Sequence, residues 1–327
     1  MKAAQSAARR LAVPAAIALA GALAALPAHA QQYPSKVVRV IVPFAPGGGS
    51  DLTARQFSQK LTEYLGQQFV VDNRGGAGGL IGMELTAKSP PDGYTIMMMS
   101  GSFSATSALN KPKFDPIHAI VPVVEFGITP FVLTVHPSLP PKTVKELIAL
   151  AKAKPNALSY ASTGVGGITH LATELFLNMT NVKMVHIPYK GTGAAMSDLL
   201  SGQAPIIFGS LLPVEPHVKS GRLRALGVTT AKRWFSLPNV PAISETVPGY
   251  AVELWFGAMA PRGTPEAVIN TLNGAINKAL HSEDMKKNLA KQGLMGTGGT
   301  PHKFGERINA DYARWLKVID AANIKIE

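Results

Sequence analysis

Six short segments of the chain combine glycine with hydroxyl side chains: PFAPGGGSD (43–51), NRGGAGG (73–79), SGS (100–102), STGVGG (162–167), YKGTG (189–193) and GS (209–210). Glycine lets backbone N–H groups approach a ligand with no Cβ in the way. A helix that starts just beyond such a turn adds positive partial charge, and Ser or Thr hydroxyls add neutral donors. This is chemistry for holding a small anion. Any one of these turns is equally consistent with an ordinary tight turn, but six together favour a binding cleft. Signatures of other chemistry are missing. There is no G-x-x-x-x-G-K-[ST], and GGAGG and GVGG lack the last glycine of a dinucleotide fingerprint. No G-x-S-x-G nucleophile elbow occurs. The chain has no Cys, which excludes thiol nucleophiles, zinc–thiolate sites and disulfides. Its histidines stand singly, without H-E-x-x-H, so no metal or cofactor is expected, and paired catalytic carboxylates stay open although no spacing points to any. His170 and Glu174 share a helix face at i, i+4 and read as a surface or packing pair.

Short β-branched runs alternate with amphipathic stretches, and the glycine turns fall between them. Strands are expected at Val37–Val42, Phe69–Val71, Thr95–Met99, Phe131–Val135, Ser159–Ala161, Lys183–Ile187, Ile206–Phe208, Leu223–Val228 and Leu254–Ala260. Helices are expected over Leu52–Leu65, through Met83 and Leu85, over Thr143–Ala153, through Leu175 and Phe176, over Ala194–Leu200, and in three C-terminal stretches beginning near Pro265, Asp284 and Pro301. Strand, glycine turn, helix and strand again is the grammar of an α/β fold with a largely parallel sheet. In such sheets the turns share one edge, where ligands bind. The C-terminal helices have no strands of their own, so they should cover the first α/β unit. That makes a discontinuous first domain of 31–128 plus 254–327 and a second domain of 129–253, joined by a two-strand hinge near Gly127–Phe131 and Val252–Phe256.

At 327 residues, 46% hydrophobic, the chain has material for a large core and is not disordered. Residues 1–30 carry basic Lys2, Arg9 and Arg10, an apolar run from Leu11 to Leu26, and Ala28-His29-Ala30. That is a secretory leader cleaved after Ala30, so the mature chain is expected to be soluble and exported. Removing its three basic residues takes the formal charge of +12 down by three, to +9. The remaining Lys and Arg are scattered with no basic-aromatic stripe, so nucleic acid is not an expected partner.

The chain resembles the Bug-type substrate-binding receptors of tripartite tricarboxylate transporters. The resemblance is carried by YPSKVVRVIVPFAPGGGSD, VVDNRGGAGGLIG, PPDGYT, LSYASTGVGG, HLATELF, HIPYKGTGAAMSDLLSGQ, RLRALGVTTAKR, WFGAMAP and ARWLKVIDAANIK. It implies a two-lobed periplasmic-binding-protein fold of type II kind, built from two Rossmann-like domains. It also implies that the exported chain stays in the periplasm, with a small carboxylate ligand, delivery to membrane permease subunits, and no catalysis. A monomer is expected. By the same resemblance the first-lobe contacts would be Phe44, Ala45, Pro46, Gly47, Gly48, Gly49 and Ser50, with Ser100 and Ser102. The second-lobe contacts would be Ser162, Thr163, Gly167 and His170, then Tyr189, Lys190, Gly191, Ala194 and Asp198, then Gly209 and Ser210. Asp51 is expected to serve the start of its helix and Asp198 to position a loop or water; His170 has no role beyond packing.

The chain departs from many relatives at APIIFGS (204–210), where Pro205 and Gly209 replace acids. Losing an acid argues against a ligand with an ammonium group, which would need a buried carboxylate partner. A plain dicarboxylate is expected, aromatic if Phe44 and Phe208 form an apolar wall. A secreted hydrolase using the same cleft, or a structural envelope protein, are the competing readings.

Overall fold

A computed structural model describes residues 33–110, 115–189 and 192–324. The leader and its cleavage site lie outside the described residues, as do Lys190 and Gly191. A cis Tyr33–Pro34 peptide stands near the start of the described residues, and those from Lys36 onward pack as one unit.

The β-branched runs form strands, and most of the glycine turns open helices. The order is β1 (Val38–Val42), α1 (Gly49–Leu65), β2 (Phe69–Asn73), α2 (Leu80–Ala87), β3 (Thr95–Ser100) and α3 (Ser102–Leu109). A single turn, α4 (Pro116–Ala119), leads into the long β4 (Ile120–Val135). Then come α5 (Val144–Ala153), β5 (Ser159–Ser162), α6 (Ile168–Thr180), β6 (Val185–Pro188), α7 (Thr192–Ser201), β7 (Ile206–Ser210), α8 (Leu211–Lys219) and β8 (Arg224–Val228). The chain closes with β9 (Glu253–Pro261), α9 (Glu266–His281), α10 (Glu283–Lys291) and α11 (Pro301–Ala321). Among the described residues no helix is long and apolar enough to cross a membrane.

One sheet runs β2-β1-β3-β9-β4-β7-β5-β6, with β8 also on β4. Its two flanks are parallel: β1 with β2 and β3, and β5 with β6 and β7. Its centre is antiparallel, because β9 returns between β3 and β4, and β4 pairs β7 and β8 in the opposite sense. The expected largely parallel sheet is therefore a mixed one. Strand β4 pairs β9 from Ile120 to Pro130, then turns to β7 and β8 from Phe131 onward. Pro130 has no N–H to donate and stands where the partner changes. Register shifts beyond Pro122 and Glu125 bend the strand on the way. The sequence pattern shows only Phe131–Val135 as strand, since Pro122, Gly127 and Pro130 mask the rest.

Helix α11 starts on Thr300, whose hydroxyl accepts the Lys303 N–H at 3.2 Å, with Pro301 in the first turn. It buries Phe304, Ile308, Asp311, Trp315 and Val318, spaced three and four apart along one face. That face covers α3 and β4. Trp255 of β9 lies edge-on to Phe304 at 5.1 Å, and its Nε1 donates to Asp311 at 2.8 Å. Arg307 pairs with Glu253 at 2.9 Å, and Arg314 donates to the Ala251 carbonyl at 2.8 Å. Burying each large aromatic contributes roughly 1.5–3 kcal/mol. The helix thus grips β9 at the level where the two halves of the sheet meet.

Candidate binding cleft

The β1–α1 turn is held open by its own helix. Gly48 caps α1 with ordinary extended backbone and no side-chain cap, while Gly47 needs φ +85°. Asp51, buried in the first turn, folds back to accept the Gly47 N–H at 2.9 Å, Asn73 Nδ2 at 2.9 Å and Arg55 Nε at 3.0 Å. Burial alone would raise its pKa, but those three donors outweigh it and hold the carboxyl below its ordinary range. Asp51 is therefore engaged on the protein side. The amides of Gly48, Gly49, Ser50 and Asp51 have no hydrogen-bond partner among the described residues.

The next two turns pack on this one. Asn73 Nδ2 also donates to the Phe44 carbonyl at 3.0 Å, and a Cβ on Gly75 would stand 3.3 Å from the Ala45 nitrogen. Thr106 of α3 donates to the Gly78 carbonyl at 2.9 Å. Ser100 and Ser102 hydroxyls meet at 3.2 Å, and Gly101 N–H donates to the Trp255 carbonyl at 2.8 Å. The only Arg in the six turns, Arg74, is already paired with Asp72 at 2.9 Å.

The second half supplies the β5–α6 turn. Thr163 N–H donates to Thr169 Oγ1 at 2.9 Å, Gly164 N–H to Ser162 Oγ at 3.1 Å, Gly166 N–H to His170 Nδ1 at 3.0 Å, and Gly167 N–H to the Gly164 carbonyl at 3.1 Å. Among the described residues, Val165 and the first-turn amides of α6 (Ile168, Thr169, His170) keep no partner. Ser162 is fully buried, and His186 Nε2 lies 2.6 Å from its hydroxyl. The pair has the spacing of a nucleophile and its base, yet the hydroxyl is sealed from solvent and is also tied to the backbone of its own turn, 3.1 Å from the Gly164 carbonyl. It braces the turn. Tyr189, which donates its N–H to the Ser162 carbonyl, gives its hydroxyl to Asp198 at 2.6 Å. Burial and that carboxylate push the phenol up to about 12.

The two halves converge on β9. A Cβ on Gly49 would touch the Phe256 ring at 3.4 Å; one on Gly101 would meet Trp255 Nε1 at 3.2 Å and Ile168 of α6 at 3.3 Å. Gly166 lies directly against Leu109, the last residue of α3. Thus the turns 44–51, 73–79 and 100–106 of the first half meet the turn 162–170 of the second through Gly101–Ile168 and Leu109–Gly166. Ala194 and Asp198 lie on α7, tied to the β5–α6 turn through Tyr189. Gly209 and Ser210 end β7 beside Val132 and Phe131 of β4, and the Ala161↔Ile207 register places Gly209 level with Thr163. Phe208 departs from expectation: it is fully buried, tilted against Phe176 at 5.4 Å and Tyr250 at 6.4 Å, so it packs the core and forms no ligand wall.

The residue patterns also leave out Trp255, Phe256, Leu109, Thr169 and His186. Their roles arise from contacts across the sheet; WFGAMAP and HIPYKG, which contain three of them, are the segments that carry a signal. Among the described residues no group of three or more His, Asp or Glu is arranged to hold a metal ion.

Residues 53–324 match the family described as the tripartite tricarboxylate transporter family receptor. Protein BugT of Bordetella pertussis is 38% identical over 315 residues, covering 95% of this chain and 97% of BugT. The solved structure of R. palustris Rpa4515 with adipate superposes with TM-score 0.81 at 37% identity, over 90% of this chain and 99% of that one. MatC from Rhodopseudomonas palustris, with bound malate, gives 0.78 at 29% identity, over 88% and 100%. The structure of periplasmic binding protein BugD gives 0.79 at 30% identity, over 90% and 100%. With its mixed α/β sheet and its amide-lined turns, the chain belongs to this family of two-lobed solute-binding receptors, which bind their ligands and are not enzymes.

Proposed function

We propose that this protein is a periplasmic receptor that captures a small dicarboxylate without an ammonium group and delivers it to a tripartite-type membrane permease. One observation carries the reading: α1 and α6 both open on amides that have no partner among the described residues, with Gly49 of α1 lying against Phe256 of β9 and the Ile168 side chain of α6 reaching Gly101 beside Trp255. Charge-assisted hydrogen bonds to a carboxylate are worth roughly 1.5–3 kcal/mol each, enough for a few to offset desolvation and ordering. The contacts would come from Phe44–Ser50, Ser100 and Ser102 on one side. On the other they would come from Thr163, Gly167, Tyr189, Lys190, Gly191, Ala194 and Ser210, with Ser162, His170, Asp198 and Gly209 shaping the turns behind them. The adipate bound to Rpa4515 and the malate bound to MatC favour a dicarboxylate.

The acids beside the cleft support the absence of an ammonium. Asp51 is saturated by Gly47, Asn73 and Arg55, and Asp198 accepts the Tyr189 hydroxyl. The lobes would be 31–128 with 254–327, and 129–253, with β4 and β9 as the hinge and a monomer as the working unit. A ligand contacting both halves favours the closed arrangement. The leader would be cleaved after Ala30, so N-terminal sequencing of exported protein should begin at Gln31; a start at Met1 rejects export by this route. A thermal-shift panel tests the function: a dicarboxylate at about 100 times its Kd should stabilise by roughly 2.7 kcal/mol.

A further inference from the structure

Behind the β5–α6 turn, Ser162 and His170 belong to a larger cluster whose other members, Tyr160, Glu174 and His186, the binding reading leaves unused. His170 and His186 stack with ring centroids 3.9 Å apart and planes 11° from parallel. Tyr160 stacks on His186 at 5.0 Å and donates its hydroxyl to Glu174 Oε1 at 2.5 Å. Glu174 stands 3.7 Å from His170 Nε2. His170, Tyr160 and Ser162 are buried, and His186 is partly so.

The hydrogen bonds fix the tautomer of His170 and tie His186 to Ser162. His170 Nδ1 accepts the Gly166 N–H at 3.0 Å, so that nitrogen carries no proton and the ring is the neutral Nε2–H form. Ser162 Oγ accepts the Gly164 N–H at 3.1 Å and lies 3.1 Å from the Gly164 carbonyl. His186 Nε2 shares a 2.6 Å hydrogen bond with that oxygen and so holds the hydroxyl in place. A proton added to His170 Nδ1 would face the Gly166 N–H donor to donor. Protonating both stacked rings would set like charges face to face.

We propose that His170 and His186 are positioning residues for anion capture: as a neutral stacked pair they fix the Gly166 amide directly and the Gly164 amide through Ser162. Holding those amides inward leaves the Val165 and α6 first-turn amides as the donors presented to a carboxylate. This rests on the reading of the turn as half of a carboxylate site. The titratable groups facing the pair among the described residues are Tyr160 on β5 and Glu174 on α6.

Three measurements on the full-length mature protein test it. Nitrogen-15 NMR of the imidazoles at pH 7 should find both rings neutral and His170 protonated at Nε2; a proton on His170 Nδ1 overturns the proposal without any variant. Amide exchange at Gly164 and Gly166 should be protected in the parent protein, and His186→Phe and His170→Phe should each speed exchange at the glycine they serve. Calorimetric titration with adipate and with malate should find each Phe variant weakened about tenfold, the scale of one lost hydrogen bond. His170→Asn, which retains an acceptor at Nδ1, and His186→Gln, which retains a hydrogen-bonding group at Nε2, should recover most of that loss. Phe variants that bind as tightly as the parent, or Asn and Gln variants no better than Phe, overturn it. Should the parent take neither acid, the carboxylate reading fails separately, and tautomers and exchange still decide the brace.

Discussion

Among residues, the glycines of the first turn differ in what they must do. Gly47 needs its positive φ, whereas Gly48 has φ −80° and a Cβ there would meet only the Ala45 carbonyl, at 3.8 Å. Gly48→Val should therefore leave the melting temperature nearly unchanged yet weaken ligand binding by about a hundredfold, because the branched side chain occupies the amide approach. Arg74→Ala removes an exposed partner of Asp72 and should change affinity by less than about threefold. Calorimetry that ranks the two variants the other way would mean that a guanidinium, not the backbone, holds the anion. Gly166 carries a different constraint. Its φ is +69°, and a Cβ would collide with Leu109 of α3. Gly166→Ala should cost about 1–3 kcal/mol in chemical denaturation, and adding Leu109→Ala should restore only the part due to the collision. Full additivity of the two changes would show that α3 and the β5–α6 turn do not meet.

At the level of elements, α1, α5, α9 and α11 were legible because each buries one stripe of a periodic pattern. Helix α3 was not: SFSATSAL is buried nearly all round between β3 and α11, so no polar face marks it, and its Ser and Thr residues read as loop. Helix α8 forms despite Pro213 and Pro216 because Leu211 and Val214 are buried on its inner side. The first half of β4 was hidden by its prolines, which sit at register shifts and at the change of partner. The turns of the cleft were legible because glycine must follow strand there; the Ser162–His186 contact spans 24 residues, and no local spacing encodes it. That contact has a consequence for acid stability. Burial, joined by His186 for His170, lowers the histidines from the ordinary 6.5 to about 3 for His170 and about 4 for His186. Between those values and 6.5 the unfolded chain binds more protons than the folded one. Their contribution to stability is full above about pH 6.5 and is lost as pH falls through the folded values. Glu174, raised by burial, works in the opposite sense at the acid end and offsets part of this. Urea unfolding at pH 7 and pH 4.5 should differ by on the order of 2 kcal/mol more in the parent than in a His170→Asn, His186→Gln double variant. Equal slopes would mean that the imidazoles titrate normally in the folded protein.

For the whole molecule, the mixed sheet explains how turns built from distant sequence meet one another. Both halves end their parallel strands in glycine turns, and β4 and β9 carry the chain between the halves while α11 grips β9 through Asp311, Arg307 and Arg314. A ligand bridging the starts of α1 and α6 would join the halves on the side that Trp255 and Phe256 line. The proposed discrimination against an ammonium group rests on the acids near the turns: among the described residues Asp51 accepts from Gly47, Asn73 and Arg55, and Asp198 from the Tyr189 hydroxyl. The most direct test is one calorimetric series at pH 7 with adipate, malate, aspartate and glutamate on the same protein sample. The account predicts saturable binding of at least one of the plain dicarboxylates and none of the two amino acids. Binding of aspartate or glutamate, with no heat from adipate or malate, would contradict it.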